Sequence, residues 1–211
     1  MTPLAILLGV AGAAWGWVSD RIAARWPEHE DGSIRAVDWR TLVVVAAGAV
    51  ALAAVAGRFD GPLERVVFGS YVLALVLLLA TDLDQRLLPD LITLPLIPLA
   101  GLFSLAGLNP LVPVADLPIA AVAAVGLPLL LAVLAFPFGA GAIGMGDLKL
   151  LVSAGLLVGA GRLVTGVVWG ALLAGVVILV LLAARRITLR SYIPFGPFLI
   201  AGALWAILGG T

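Results

Sequence analysis

Long apolar runs alternate with short polar segments along the entire chain, and this pattern predicts helices that cross a membrane. The runs lie at about residues 3–20, 41–57, 64–81, 91–108, 116–137, 147–160, 162–184 and 194–210. A helix needs about 20 residues to cross roughly 30 Å of hydrocarbon, so the shorter runs, above all the sixth, are expected to be incomplete spans or to border a water-filled cavity. The pattern predicts an all-α, polytopic transmembrane helix bundle of about eight spans.

The first apolar run could be read as a cleaved signal peptide. No positive charge precedes it, however, and Asp20-Arg21 follows it where a small-residue cleavage site would be needed. We therefore interpret it as a retained first span.

Composition strengthens the membrane prediction and excludes several kinds of chemistry. Of 211 residues, 63% are hydrophobic and 11% are charged, whereas a soluble domain has about 25% charged residues. The net charge of zero disfavours nucleic-acid binding through a basic face. The absence of cysteine excludes disulfides, thiolate zinc sites and cysteine nucleophiles. The one histidine, His29, is expected in a solvated loop, and no metal or cofactor is expected.

The cationic residues predict the orientation, because cytoplasmic segments of membrane proteins are enriched in Lys and Arg. With the N-terminus outside and eight crossings, nine of the twelve Lys and Arg residues are cytoplasmic. Only Arg58, Arg65 and Arg162 lie outside. This bias supports an extracytoplasmic N-terminus and a short cytoplasmic loop at about residues 20–40.

Two groups of acidic residues stand at the ends of very apolar runs. Asp82, Asp84 and Asp90 follow the third run, and Asp147 begins the sixth inside Gly144-Met145-Gly146-Asp147-Leu148-Lys149. Both groups lie at the same predicted membrane face, where ionisable residues are costly and are functional candidates. Two close carboxyls that share one proton can hydrolyse a peptide, because one activates water while the other protonates the carbonyl. Gly144 and Gly146 would let backbone and substrate approach Asp147 closely.

Three motifs in this order resemble the type IV prepilin peptidases and their archaeal preflagellin relatives, over roughly residues 64–210. They are Asp-x-Asp-x4-Pro-Asp at residues 82–90, the Gly-x-Gly-Asp motif at residues 144–147, and Ile193-Pro194-Phe195-Gly196-Pro197-Phe198-Leu199. The resemblance implies two parts: residues 1–63, two spans with a short cytoplasmic loop, and residues 64–211, a membrane aspartic peptidase core.

The resemblance also implies the activity and the roles of the residues. Asp82 and Asp147 would be the catalytic aspartates, and the enzyme would remove the short basic leader of prepilins or pseudopilins. It would act at the cytoplasmic face of the prokaryotic cytoplasmic (inner) membrane, in contact with the lipid bilayer. The residues expected to support the site are Asp84, Asp90, Gly144, Gly146 and Lys149, and those expected to shape a substrate groove are Pro194, Phe195, Gly196 and Pro197.

The chain departs from many bacterial members of that family in one respect. Those proteins carry a larger cytoplasmic domain between the first two spans, with paired Cys-x-x-Cys motifs that bind zinc, and they also methylate the new N-terminus. Here the corresponding segment has about twenty residues and no cysteine. The resemblance therefore leaves an N-methyltransferase activity in doubt.

Several of these residues have structural alternatives. Asp90 follows Pro89 and precedes an apolar run, which favours a helix N-cap over catalysis. Asp147 could cap the sixth helix in the same way, although its glycine motif favours catalysis. Asp84 could support the site or be a solvated boundary charge.

The basic residues and the last motif also have alternatives. Arg86 and Lys149 are best explained as positive-inside anchors, and Lys149 could also lie near Asp147. The Pro194–Pro197 segment could simply start or kink the last helix.

Three rival functions use the same residues. An ion-coupled carrier predicts acidic groups near mid-membrane and related halves, whereas these aspartates stand at span ends. A non-catalytic assembly protein of a pilus or secretion machine would tolerate loss of either aspartate. An intramembrane protease of the presenilin or signal-peptide-peptidase type shares only the second motif.

Overall fold

The computed structural model describes residues 2–27, 34–138, 143–188 and 194–209. Within these ranges it contains eight α-helices and no β-strand. The helices are α1 (Pro3–Ala23), α2 (Trp39–Arg58), α3 (Pro62–Gln85), α4 (Asp90–Leu105), α5 (Leu117–Ala135), α6 (Met145–Val158), α7 (Ala160–Ala183) and α8 (Gly196–Leu208). Each predicted apolar run forms one helix, so the all-α prediction is confirmed. His29 lies outside the described residues.

Five helical segments are long and apolar enough to cross a membrane: Pro3–Ala23, Trp39–Arg58, Pro62–Gln85, Val114–Ala135 and Ala160–Ala183. Helices α4 and α8 are apolar but shorter, and α6 has only 14 residues. The molecule is an integral membrane protein on these grounds. The number of complete spans and the direction of the N-terminus stay predictions.

Local sequence signals set several helix ends. In α2, Asp38 accepts a hydrogen bond from the Arg40 backbone N–H (2.9 Å). Helix α3 begins at Pro62, whose missing N–H costs nothing in the first turn. It ends at Gln85, four residues beyond the predicted run, and Arg86 caps it in the left-handed conformation with φ 57°. Asp82 and Asp84 consequently belong to the last turn of α3 instead of following it.

Small residues let two pairs of neighbouring helices pack at very short distance. A Cβ added to Gly12 of α1 would lie 2.7 Å from the carbonyl carbon of Gly48 in α2. A Cβ added to Gly166 of α7 would lie 2.7 Å from the carbonyl oxygen of Gly202 in α8. Such contacts are typical of membrane helices, where association depends on close packing because lipid is as apolar as the side chains.

Helices α3 and α6 form the centre of the bundle. Helix α3 packs against α1, α2 and α8, and its side chains Phe68, Leu75 and Leu78 are fully buried. Helix α6 contacts α4, α5, α7 and α8. A helix enclosed by four others does not need the length of a lipid-exposed span, which explains why α6 is short. Because α8 contacts both α3 and α6, these three helices define the site.

Candidate active site

Asp82 lies in the last turn of α3 and is 4% exposed. Its Oδ2 atom is buried and has no hydrogen-bond partner among the described residues. A buried polar atom without a hydrogen-bond partner costs about 1–3 kcal/mol of folding free energy. Such an atom in a native fold therefore needs an explanation, for example a role in binding or catalysis. The carboxyl is placed by the helix itself, because the apolar residues before it anchor α3 in the core.

Asp147 lies in the first turn of α6 and is 8% exposed. Its Oδ2 accepts a hydrogen bond from the Gly144 backbone N–H (3.3 Å), so the helix-capping alternative is present in the geometry. Capping uses one carboxyl oxygen only. The other oxygen, Oδ1, is buried without a hydrogen-bond partner in the described part of the chain.

The two carboxyls lie close enough for the charge of Asp147 to act on Asp82. They come from opposite ends of two central helices, since α3 ends at this face and α6 begins there. Arg86, directly after α3, also acts on Asp82 through its charge. The arrangement is thus a buried pair of interacting carboxyls, each with one oxygen that has no hydrogen-bond partner among the described residues.

Helix α8 closes one side of Asp82. A Cβ added to Gly196, the first residue of α8, would lie 2.7 Å from Cγ and 2.8 Å from Oδ1 of Asp82. Pro194, Phe195 and Pro197 are half-buried around this contact. The structure therefore brings the start of helix α8, which carries the predicted last motif, to Asp82. At position 196, any side chain larger than that of glycine would collide with the Asp82 carboxyl.

The glycines of the second motif also make close contacts. A Cβ added to Gly146 would lie 2.6 Å from the Leu88 Cβ, so the first turn of α6 packs directly on the connection between α3 and α4. A Cβ added to Gly144 would lie 3.3 Å from Oδ2 of Asp147. The approach of a substrate to Asp147 at these glycines stays a prediction.

Asp90 and Lys149 form an ion pair with each other at the partly exposed end of the site. Lys149 Nζ lies 2.6 Å from Asp90 Oδ1, and the side chains are 24% and 60% exposed. The N-cap interpretation of Asp90 is wrong, because Pro89 holds the cap position and no side-chain cap hydrogen bond is present. Helix α4 starts at Asp90, one residue earlier than predicted, so that Pro89 and not Asp90 is the N-cap residue.

Asp84 is deeply buried, with 2% of its side chain exposed. Its Oδ1 lies 2.5 Å from Arg35 Nε and 3.0 Å from Arg40 Nη1. The interpretation of Asp84 as a solvated boundary charge is therefore wrong. Its position was misjudged because its partners lie more than forty residues earlier in the chain.

Sequence reasoning missed the residues that surround Asp84. Asp20 at the end of α1 is fully buried and pairs with Arg21 and Arg35. Arg35 also contacts Asp38 (2.7 Å), so it touches an acid in each of three segments. The only sequence signal was the recurrence of Asp and Arg at both ends of the short loop, which is also typical of a solvated segment.

The described residues contain no group of three or more His, Asp or Glu side chains that could hold a metal ion.

Comparison with known proteins identifies the family. Residues 69–180 match the family model described as the type IV leader peptidase family. Proteins from two strains of Burkholderia pseudomallei, each named "Prepilin leader peptidase/N-methyltransferase", are 34% identical over 174 residues, which cover 81% of this chain and 54% of each relative. The chain thus spans about half the length of these curated relatives. No solved structure matches. The match over residues 69–180 includes both Asp82 and Asp147, and the chain belongs to the type IV leader peptidase family.

Proposed function

We propose that this protein is a membrane aspartic endopeptidase that removes the short leader peptide of type IV prepilins or pseudopilins. Membership of the leader peptidase family supports the reaction class. The observation that carries the assignment of the site is the buried carboxyl pair, Asp82 in the last turn of α3 and Asp147 in the first turn of α6. The proposal concerns peptide cleavage only.

In the proposed reaction the pair works with one shared proton. The ionised carboxyl takes a proton from a water molecule, whose oxygen attacks the scissile carbonyl carbon, while the protonated carboxyl donates to the carbonyl oxygen. The tetrahedral intermediate then collapses, the C–N bond breaks, and the leaving nitrogen takes a proton from the pair. The proton belongs to the pair as a unit. The buried oxygens of Asp82 and Asp147 that have no hydrogen-bond partner among the described residues support this role, since a bound water and a substrate carbonyl would supply the missing partners.

The proposed location of the reaction is the cytoplasmic face of the cytoplasmic membrane. The distribution of Lys and Arg supports this orientation, since it puts the end of α3 and the start of α6 on the cytoplasmic side. A substrate with a basic leader in the cytoplasm and an apolar helix in the bilayer would meet the pair at this boundary. Gly196 and its flanking prolines would form the wall beside Asp82.

The test is cleavage of a purified prepilin by membranes that contain the wild type, Asp82→Asn or Asp147→Asn. Asparagine keeps the size of the side chain but cannot share the proton. We expect each variant to lose about 10²–10⁴-fold in rate, the range of general acid–base catalysis. Asp116→Asn is the matched control, because Asp116 is an exposed acid remote in sequence from both motifs.

The outcomes separate the proposal from its rivals. Full activity in either asparagine variant, at wild-type protein levels, would show that the aspartate is not catalytic. A wild type that cleaves no prepilin would contradict the peptidase function and favour the carrier or the assembly protein.

A further inference from the structure

The last turn of α3 carries two acidic residues, although acidic residues are unfavourable at the C-terminal end of a helix. The C-terminus of a helix has partial negative charge, so carboxylates there are unfavourable and basic residues are favourable. Asp82 and Asp84 both lie in this turn, and the turn contains no basic residue of its own. Arg86, directly after the turn, and cations from other segments must therefore stabilise the turn that presents Asp82.

Arg35 supplies such a cation from the loop between α1 and α2. Its side chain is 12% exposed and its Nε lies 2.5 Å from Asp84 Oδ1. The same guanidinium pairs with the fully buried Asp20 of α1 and with Asp38, which caps α2. Arg35 therefore joins the ends of α1, α2 and α3 at one point.

The surrounding contacts hold Arg35 in place. Arg21 donates a hydrogen bond to the Arg35 carbonyl oxygen (3.2 Å), and Thr41 donates to Asp20 Oδ2 (2.8 Å). Burial disfavours the charged guanidinium, but the hydrogen bond and charge of Asp20, with the charges of Asp84 and Asp38, outweigh it and raise the pKa of Arg35. The side chain is cationic at any physiological pH.

Arg40 is the other described cation at Asp84: it donates a hydrogen bond to Asp84 Oδ1 and is more exposed than Arg35. Its side chain is 31% exposed, and its Nη1 lies 3.0 Å from Asp84 Oδ1. It stands in the first turn of α2, where a positive charge opposes the helix dipole. The described ion pairs of Arg40 reach Asp84 and Asp38, whereas those of Arg35 also reach Asp20.

We propose that Arg35 is a positioning residue, which neutralises Asp84 and holds the last turn of α3 so that Asp82 faces Asp147. This inference rests on the proposed function for its consequence in catalysis, but its structural part is independent of the substrate. Removing one partner from a buried ion-pair network destabilises it, because the remaining charges are less fully compensated. Without Arg35, we expect the last turn to fray and Asp82 to move away from Asp147.

A crosslinking experiment tests the position of Asp82 without any substrate. The chain contains no cysteine, so Asp82→Cys with Asp147→Cys creates the only thiol pair in the protein. The full-length protein in membranes is treated with a short bifunctional methanethiosulfonate, with Arg35 intact or replaced by Gln. We expect crosslinking to fall about 5-fold or more in Arg35→Gln, because a mobile turn of the helix brings the thiols together less often.

Two further variants decide between positioning and a general loss of folding. Arg186→Gln removes an exposed arginine at the end of α7 and should leave crosslinking unchanged. Arg35→Gln combined with Asp84→Asn removes both charges of this ion pair and should restore much of the crosslinking, because the carboxylate that Arg35 neutralises is then also absent. Equal crosslinking with and without Arg35, absence of crosslinking when Arg35 is intact, or no recovery in the double variant would each overturn the proposal.

Cleavage of a prepilin gives the second readout. Arg35→Gln should lower kcat about 10-fold or more while KM changes less than about 3-fold, because Arg35 acts on the pair and not on substrate binding. Arg35→Lys should retain more activity than Arg35→Gln, since it keeps the charge. An unchanged kcat in Arg35→Gln would overturn the positioning role. If Arg35→Gln loses the crosslink while the wild type cleaves no prepilin, the proposed function fails and the positioning role stands.

Discussion

The start of α8 packs against the Asp82 carboxyl at the end of α3, and the charge of Asp147 in the first turn of α6 acts on the same carboxyl. Asp82 and Asp147 each keep one buried oxygen without a partner in the described residues. Each such atom costs about 1–3 kcal/mol relative to a paired one. A site that binds a water molecule and a peptide carbonyl would supply the missing partners, which is consistent with the proposed hydrolysis.

Gly196 is the most constrained residue beside the pair. In Gly196→Ala the added Cβ would overlap the Asp82 carboxyl, 2.7 Å from Cγ, so either the carboxyl or α8 must shift. We expect prepilin cleavage to fall about 10²-fold, since small displacements of a catalytic group cost this much. The assay compares kcat/KM in membranes at equal protein levels.

Gly175→Ala is the matched control for Gly196→Ala. No atom lies within 4 Å of a Cβ at Gly175, which is inside α7. Alanine should leave cleavage unchanged and stabilise the helix by about 0.5–1 kcal/mol. Comparable activity in the two alanine variants would mean that α8 does not constrain Asp82.

Asp90 differs from Asp82 in exposure, although both belong to one motif. The Asp90 side chain, which pairs with Lys149, is 60% exposed, and exposed ion pairs contribute about 0–1 kcal/mol to the free energy of unfolding. We therefore expect Asp90→Asn to lower the free energy of unfolding by less than about 1 kcal/mol and cleavage by only a few-fold. Denaturant titration and the prepilin assay measure the two effects. A loss as large as that of Asp82→Asn would instead place Asp90 in the chemistry.

At the scale of elements, the relation between α3 and α6 determines the site, because each helix carries one aspartate. Their direct polar link is a buried hydrogen bond between the Tyr71 hydroxyl and Ser153 Oγ (2.8 Å). Tyr71 lies 11 residues before Asp82, which is about three helical turns and therefore nearly the same face of α3. The bond consequently restricts rotation of the helix that presents Asp82.

Tyr71→Phe tests this link. The change removes the hydroxyl and leaves the ring in the core, so we expect the free energy of unfolding to fall by about 1 kcal/mol. Ser70→Ala is the control, because the exposed Ser70 hydroxyl bonds to the carbonyl of Val67 in its own helix. Unfolding of both variants in detergent by a denaturant gives the comparison. Equal stability of Tyr71→Phe and the wild type would show that the bond contributes nothing.

At the scale of the whole molecule, the bundle has two polar ends separated by an apolar body. The end that contains Asp82 and Asp147 also holds the Asp20, Asp84 and Arg35 network. The opposite end holds Arg58, Asp60 and Arg162 around a cavity of about 320 Å³. The predicted orientation places the first end in the cytoplasm.

Single cysteines test the orientation, because the natural chain has none. Asp60→Cys and Arg186→Cys place exposed thiols at predicted opposite faces. In intact cells we expect a membrane-impermeant maleimide to label Asp60→Cys and to label Arg186→Cys only after permeabilisation. The reverse labelling would invert the topology and place the aspartates outside the cell.

The sequence by itself determined the helices and the candidate pair. Each helix is predicted by a local run of apolar residues, because a segment in lipid must satisfy its own backbone hydrogen bonds and therefore forms a helix. The costly acids at the ends of α3 and α6 are equally visible, since an ionisable group beside such runs needs a function. Family membership followed from motifs that are short and contiguous.

Only the tertiary structure decided which side chains meet. The burial of Asp84 by Arg35, the ion pair of Asp90 with Lys149 and the contact of Gly196 with Asp82 all join segments far apart in the chain. The local sequence around a carboxylate at a helix end does not distinguish one that faces solvent from one that pairs with an arginine. That choice depends on how the helices pack, and packing is a property of the whole bundle and not of any one run of residues.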